Sequence, residues 1–365
     1  MATISVDYAS CVLTTNKAAG CNKCETICPA NVIAIEEHQL RYTPNECIAC
    51  GACQGVCPTE SFTIDGFSHE NFSAEFAADS SDVISCKKNV PCLASLNAEY
   101  LIALCLEKGS DITLDTGSCS ECEIAGSVMG HIEASLHEAN LFLERFDSSL
   151  RIRSDAVVHG ETESKKEQQT LSRRELFSKL SIRETVKAKL RFDKEVDDAM
   201  REYVTINDGD YNRARVREKK IPFRRALFIS ATRGLDGDVD ALLPAGDFGF
   251  ITDKTIDKNL CTNCALCYHA CPTGALVGER LKGKIAFDFL HCVACNSCHD
   301  ICPEACLDKE EHFNKGMFTR PERKKLATFF MRQCGDCGMP YINDGHEVCP
   351  RCREMDDEAR ELVGF

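Results

Sequence analysis

The chain has 365 residues, a formal net charge of −14 and 26 cysteines. The acidic excess argues against nucleic acid as a partner, because phosphates repel an acidic surface. No stretch approaches the ~20 consecutive apolar residues of a membrane span, and the first residues show no signal-peptide pattern, so we expect a cytoplasmic protein. In a reducing cytoplasm, this many thiols indicate metal ligation and not a disulfide scaffold.

Residues 1–66 contain two series of closely spaced cysteines, each of which ends in Cys-Pro. We call such a series a comb. The second comb is complete and reads Cys47-x2-Cys50-x2-Cys53-x3-Cys57-Pro58. The first reads Cys21-x2-Cys24-x3-Cys28-Pro29, with Ala18 where a further cysteine would stand. Cys11 fills this gap if the loop of residues 12–20 folds back, which Asn16 and Gly20 favour.

In such a comb, three closely spaced thiolates hold one [4Fe-4S] cluster, and the fourth holds the other cluster of the pair. We therefore predict two N-terminal clusters, one on Cys11, Cys21, Cys24 and Cys57, and the other on Cys47, Cys50, Cys53 and Cys28. Without Cys11, the first site would hold a three-iron cluster or a labile fourth iron. Residues 32–35, 40–42 and 62–64 are predicted to form the small strands around the combs.

Residues 81–150 predict a small α/β domain. Strand patterns at residues 82–85 and 111–115 alternate with helical patterns at residues 93–108 and 127–146. This order predicts a parallel strand pair with thiols gathered at the carboxyl ends of the strands. These thiols belong to Cys86, Cys92, Cys119 and Cys122.

Three interpretations of these four cysteines remain open: a further iron–sulfur cluster, a zinc site, or thiols that form a redox disulfide at Cys119 and Cys122. In spacing, the layout is similar to thioredoxin-like [2Fe-2S] domains and to a small iron–sulfur subunit found with some hydrogenases. Cys105 lies on an apolar helical face and is predicted to be a buried structural thiol.

Residues 151–171 are predicted to be a linker, and residues 172–250 a charged helical segment. Ser172 and Glu175 form a capping box at the start of this segment. Residues 172–225 hold sixteen basic side chains against ten acidic ones, whereas residues 1–85 hold three against eleven. This asymmetry either docks one half of the chain on the other or steers partners, or it is a solvated surface without a role. The apolar run Ala226–Ser230 predicts a buried strand or the start of a helix.

The pair of combs recurs, with cleaner spacing, within residues 251–312. Its cysteines are Cys261, Cys264, Cys267 and Cys271, then Cys292, Cys295, Cys298 and Cys302. By the same rule we predict one [4Fe-4S] cluster on Cys261, Cys264, Cys267 and Cys302, and another on Cys292, Cys295, Cys298 and Cys271. Cys306 is left over as a packing thiol near a cluster. His269, His291 and His299 lie beside cluster cysteines, where they either tune the reduction potential or fill the surface.

The segment of residues 251–312 resembles a two-cluster bacterial ferredoxin, and the whole chain resembles a polyferredoxin. The resemblance implies protein redox partners such as formate dehydrogenases, hydrogenases and membrane reductases. The fold class we predict is α+β: two ferredoxin-like modules, the α/β thiol domain between them and a C-terminal zinc ribbon. That ribbon spans residues 326–356, where two CxxC knuckles supply the zinc ligands Cys334, Cys337, Cys349 and Cys352.

Four cubane clusters without a recognisable substrate site predict an electron-transfer protein or oxidoreductase subunit and not a stand-alone enzyme. It would pass single electrons between a low-potential oxidoreductase and an acceptor. Two alternatives remain: an accessory protein that matures a metalloenzyme such as formate dehydrogenase, and a thiol–disulfide (heterodisulfide-type) reductase subunit that uses Cys119 and Cys122.

Overall fold

The computed structural model describes residues 4–157, 219–235 and 240–363. In the N-terminal module, each comb contains a short helix that carries one of its cysteines, Cys24 or Cys53, and the other comb cysteines lie just before or after that helix. The elements of this module are β1 (Ile4–Val6), α1 (Val12–Thr15), α2 (Lys23–Ile27), β2 (Ile33–Glu36), β3 (Gln39–Tyr42), α3 (Ala52–Val56) and β4 (Phe62–Ile64). Strand β1 pairs antiparallel with β4, and β2 with β3, so the strands expected around the combs are present.

A connecting helix, α4 (His69–Ala78), leads into the α/β domain. The elements of this domain are β5 (Val83–Ile84), α5 (Ala98–Lys108), β6 (Ile112–Asp115), α6 (Ala125–Arg145) and β7 (Ile152–Asp155). Strands β5 and β7 both pair parallel with β6. The side chain of Asn97 caps α5 by accepting a bond from the Tyr100 amide at 3.2 Å, and Gly109 at φ 68° ends it.

Strand β7 corrects the predicted linker, because residues 152–155 belong to the sheet. The composition misled the prediction, since Ile152 is the one buried residue of an otherwise polar, exposed strand. The rest of the linker and the capping box at Ser172 lie outside the described residues.

Helix α7 (Phe223–Thr232) resolves the apolar run Ala226–Ser230 as a helix and not a strand. It is buried on nearly every side: Leu227 and Phe228 are at most 1% exposed, and even Arg224 and Arg225 are only 3% and 2% exposed. A helix that buries two guanidinium groups requires carboxylate or carbonyl partners for them.

The C-terminal module is larger than the predicted range of residues 251–312. Its elements are β8 (Leu242–Pro244), β9 (Lys254–Ile256), α8 (Leu266–Ala270), β10 (Leu276–Glu279), β11 (Lys284–Phe287), α9 (Ser297–Asp300), β12 (Leu307–Lys309), β13 (His312–Asn314) and β14 (Lys324–Thr328). Strand β8 pairs with β13, β9 with β12, and β14 extends the β10–β11 hairpin, all antiparallel. Strands β8 and β14 therefore enclose the comb region on both sides of the predicted range.

The tail forms an antiparallel hairpin of β15 (Met331–Gln333) and β16 (Pro340–Ile342), followed by helix α10 (Pro350–Val363). Within the described ranges, no helix combines the length and apolar character needed to cross a membrane.

One aromatic core joins the α/β domain to the C-terminal module. The ring centroid of Phe142 in α6 lies 5.3 Å from that of Phe228 in α7 and 5.6 Å from that of Phe318 in the C-terminal module. Phe250 lies 5.4 Å from Phe228, edge to face. Such pairs add to the free energy of burial, so α7 acts as a shared core element between the two domains.

Candidate metal centres

The thiols predicted to hold the first N-terminal cluster are neighbours. Burial first, and then the nearby Cys57, Cys21 and Cys11, together raise the pKa of Cys24 to about 12. The loop after Cys11 begins with α1 at the next residue, and Asn16 within it is 2% exposed. Thiols that resist ionisation in this way need the positive charge of iron to become ligands. Their ligation of a cluster stays a prediction that this geometry fits.

Two other predicted ligand sets each line a small cavity. One cavity is lined by the set of Cys28, Cys47, Cys50 and Cys53, and the other by the set of Cys271, Cys292, Cys295 and Cys298. Apolar side chains form most of the remaining wall of the first cavity, whereas Lys254 contributes to the second. Four convergent thiols around a shared cavity fit a cubane cluster.

The fourth predicted set holds a fifth thiol beside it. Burial first, and then the nearby Cys298, Cys264 and Cys261, together raise the pKa of Cys267 to about 12. The sulfur of Cys302 lies 3.5 Å from that of the buried Cys306, as expected for a packing thiol near a cluster. Cys264 is exposed, so this site is the one in the C-terminal module that lies nearest the solvent.

Amide groups point at the two cysteines that precede a Pro-Thr pair. The Ser61 amide donates to Cys57 Sγ at 3.3 Å, and the Leu276 amide donates to Cys271 Sγ at 3.5 Å. Hydrogen bonds to ligand sulfurs stabilise negative charge and thereby raise a cluster's reduction potential.

A buried cation lies beside the Cys271, Cys292, Cys295 and Cys298 site. Lys254 is 1% exposed, and its Nζ donates to His299 Nε2 at 2.6 Å. The pKa of His299 is lowered to about 4 by burial and by Lys254, so His299 is neutral and its Nδ1 donates to the Leu307 carbonyl at 3.1 Å. Sequence analysis left open whether the histidines tune the reduction potential or fill the surface; the buried charge beside this site belongs to Lys254, which the sequence did not single out. Burial also lowers the pKa of His269 and of His291.

The tail cysteines form a compact group of four thiols. Cys334, Cys337, Cys349 and Cys352 have sulfurs that all lie within 4.8 Å of one another. Tetrahedral Zn–S bonds of about 2.3 Å place ligand sulfurs roughly 3.8 Å apart. The Sγ atoms of Cys337 and Cys349 are 3.8 Å apart, which fits this geometry. Backbone amides, that of Cys337 first, lower the pKa of Cys334 to about 6, which favours the thiolate.

Cys337→Ser is expected to remove about one zinc per chain and leave the iron content unchanged, because the ribbon shares no ligand with the predicted clusters. Metal analysis of the purified chain by mass spectrometry measures both. Loss of iron in parallel with zinc would contradict the assignment of a separate zinc site.

Cys11→Ala is expected to lower the iron content by roughly one to four atoms per chain and to leave the other three predicted clusters intact. Iron and acid-labile sulfide assays on protein purified without oxygen provide the measurement. Cys105→Ala serves as the control, because Cys105 is fully buried and its thiol donates to the Ser110 carbonyl, away from every comb. Iron content and spectra that are unchanged in Cys11→Ala would show that Cys11 is not a ligand.

The two comb modules touch each other directly. Asn16 Nδ2 donates to the carbonyl and the hydroxyl of Ser297 at 3.0 and 2.9 Å, and both residues are buried. The Gly20 amide donates to Asp300 Oδ2 at 3.2 Å. The loop between Cys11 and Cys21 therefore rests on the helix that carries Cys298.

A buried ion-pair network holds the same modules against the α/β domain. Glu99 of α5 lies 3.1 Å from Arg224 Nε and 2.8 Å from Arg225 Nε. Arg224 donates to the Gly55 carbonyl at 3.2 Å, and Arg225 donates to the Phe250 carbonyl at 2.6 Å. Sequence analysis missed this network, since a local basic pattern does not indicate a partner more than a hundred residues away.

Comparisons with known proteins match the two comb regions. Residues 19–61 and residues 253–303 each match a model described as a 4Fe-4S dicluster domain. The chain carries two 4Fe-4S dicluster domains. A 63-residue stretch is 35% identical to the ferredoxin-type protein NapH of Haemophilus influenzae, covering 16% of this chain and 22% of that protein. The chain therefore spans about a fifth of the length of this relative, and the two domains mark it as an iron–sulfur protein of the ferredoxin type.

Proposed function

We propose that the chain is an electron conduit in which four [4Fe-4S] clusters form one continuous path. The observation that carries this proposal is the direct contact between the two dicluster modules, through Asn16 and Ser297. The predicted clusters and ligands are those given by the comb spacing. Each cluster, once bound by these thiols, would supply one-electron redox chemistry, so that adjacent sites could pass electrons one at a time.

The neighbours of each thiol support an order for the path. Cys24 belongs to one N-terminal site and Cys53 to the other. The Cys24 thiol contributes to raising the pKa of Cys53, so these two sites are adjacent. The contact of Asn16 with Ser297 then leads to the site that includes Cys298. Cys298 in turn acts on the pKa of Cys267 in the outermost C-terminal site. The exposed Cys264 at that end favours it as a point of exchange with a partner.

Three finer features of the proposal come from the sequence. The resemblance to polyferredoxins favours a protein redox partner of the formate dehydrogenase or hydrogenase type. The 26 cysteines favour a reducing compartment such as the cytoplasm. The tail site would hold zinc and fold the ribbon that follows the C-terminal module.

Flash photoreduction of the full chain by a deazaflavin tests the conduit. We expect a fast bimolecular phase, followed by an intramolecular phase whose rate is independent of protein concentration. The variant Cys24→Ser/Cys57→Ser removes an inner cluster and should abolish most of the intramolecular phase, while Cys105→Ala leaves it unchanged. A phase that survives loss of the inner cluster, or that is absent from the unmodified protein, would refute a continuous path.

A further inference from the structure

The four cysteines of the α/β domain converge at one edge of its sheet. Cys86 follows the end of β5 by two residues, and Cys119 follows the end of β6 by four. Since β5 and β6 are parallel neighbours, their carboxyl ends meet at the same edge. The thiol neighbours agree: burial raises the pKa of Cys119, and Cys86 and Cys122 raise it further. Cys92 lies in the same loop as Cys86, and the amides of Asn89 and Val90 donate to the Ser85 carbonyl at 3.0 and 3.3 Å, which turns this loop back toward Cys86.

The spacing of these thiols differs from that of the zinc site. Within the part of the chain that the structure describes, the one group of cysteines whose sulfurs all lie within 4.8 Å is that of the tail. A single zinc ion needs such close packing, because all four sulfurs bond the same atom. Ligands of a cluster bond different irons and stand further apart, as in the two dicluster modules. The α/β thiols, like those of the dicluster modules, do not form such a tight group within the described residues.

The edge that carries these thiols is docked on an N-terminal cluster loop. A Cβ on Gly55 would lie 2.2 Å from the Ala94 carbonyl oxygen, and one on Gly51 would lie 2.8 Å from the Cβ of Ser95. The glycines therefore allow the turn after Cys50 to press against the turn after Cys92. Two imidazoles fix that second turn, since His69 Nε2 lies 2.8 Å from the Ser95 carbonyl and His131 Nε2 lies 3.1 Å from the Leu96 carbonyl.

Cys50 and Cys92 flank this contact, because a Cβ on Gly51, next to Cys50, would also lie 3.4 Å from the Cγ of Pro91, next to Cys92. A redox centre at the α/β edge would thus stand next to the predicted cluster on Cys28, Cys47, Cys50 and Cys53. Its other side faces solvent, because Cys86 and Cys122 are both exposed. A centre with one side against a cluster and the other open to a partner is suited to electron entry or exit.

We propose that Cys86, Cys92, Cys119 and Cys122 bind a fifth iron–sulfur cluster, which forms the solvent-facing end of the path next to the N-terminal module. The redox step is the gain or loss of one electron by this cluster, received from or passed to the cluster that includes Cys50. The role at the end of the path rests on the proposed conduit, whereas the presence of the cluster does not. The outermost C-terminal site, with the exposed Cys264, forms the opposite end.

Metal analysis of the full chain, purified without oxygen, tests the fifth cluster. We expect about 18–20 iron atoms per chain, against about 16 for four cubane clusters. The variant Cys119→Ser/Cys122→Ser should lose two to four iron atoms and no zinc, and Cys105→Ala should lose neither. Equal iron in the double variant and the unmodified protein, or loss of zinc in place of iron, would overturn the proposal.

A second measurement covers the case in which the double variant fails to fold. The exposed Cys86 and Cys122 should resist alkylation in the native protein and react once a chelator has removed the iron. Prompt labelling of these thiols with all cluster absorbance retained would overturn the fifth cluster. The conduit is judged separately, because about 16 iron atoms with an intact intramolecular phase would refute the fifth cluster alone.

Discussion

Glu99→Ala is expected to destabilise the folded chain by about 3–5 kcal/mol, because it leaves two buried guanidinium groups without their carboxylate. Glu99 is 1% exposed and pairs with both Arg224 and Arg225. Tyr100 donates a further hydrogen bond to Glu60, which also accepts from the Arg224 amide, so the network reaches the N-terminal module. The α/β domain and both dicluster modules meet at this network, and its loss should loosen all three together.

Thermal unfolding without oxygen, followed by circular dichroism and by iron release, measures this effect. Glu36→Ala is the matched control: Glu36 pairs with Arg41 at 3.3 Å, but both side chains are about 60% exposed. Exposed pairs contribute roughly 0–1 kcal/mol, so the control should unfold close to the unmodified protein. Similar unfolding temperatures for Glu99→Ala and Glu36→Ala would show that the network does not hold the domains together.

Lys254→Met is expected to make the reduction potential of the cluster on Cys271, Cys292, Cys295 and Cys298 more negative, by on the order of 100 mV. A reduced cluster carries one more negative charge, and a buried ammonium stabilises that charge. At an effective dielectric constant of about 20, one unit charge a few ångströms away is worth roughly 2–4 kcal/mol. The charge of Lys254 likewise works to lower the pKa values of Cys292 and Cys298, which favours their thiolates.

Redox titration followed by EPR spectroscopy measures the shift. Lys258→Met is the control, because Lys258 is exposed on the same segment and solvent screens its charge. We expect a shift of less than about 20 mV in the control. Equal shifts in the two variants, or a shift of Lys254→Met toward positive potential, would contradict the role assigned to the buried charge.

The comb spacing predicted the local structure of both modules, because a metal-binding turn is specified by residues a few positions apart. The same spacing pointed to Cys11 although its comb is irregular, and the role of Cys11 as a ligand stays a prediction. Local spacing could not predict the contact of Asn16 with Ser297. The two residues are 281 positions apart, and an isolated asparagine gives no sign of a distant acceptor.

Helix α7 shows a second limit of sequence analysis. Its apolar run of five residues fits a strand as well as one turn and a half of helix, so periodicity does not decide between them. Arg224 and Arg225 belong to a basic stretch that would ordinarily be solvated. Burial of these arginines depends on Glu99, whose position inside the core follows from the tertiary packing of α5.

The most direct test of a single path is the EPR spectrum of the fully reduced protein. If the two dicluster modules touch as in the structure, spins on their clusters interact. The spectrum should then differ from the sum of the spectra of two variants, each with the clusters of one module removed by cysteine-to-serine substitution. A spectrum equal to that sum would show two magnetically independent modules and would contradict the continuous path.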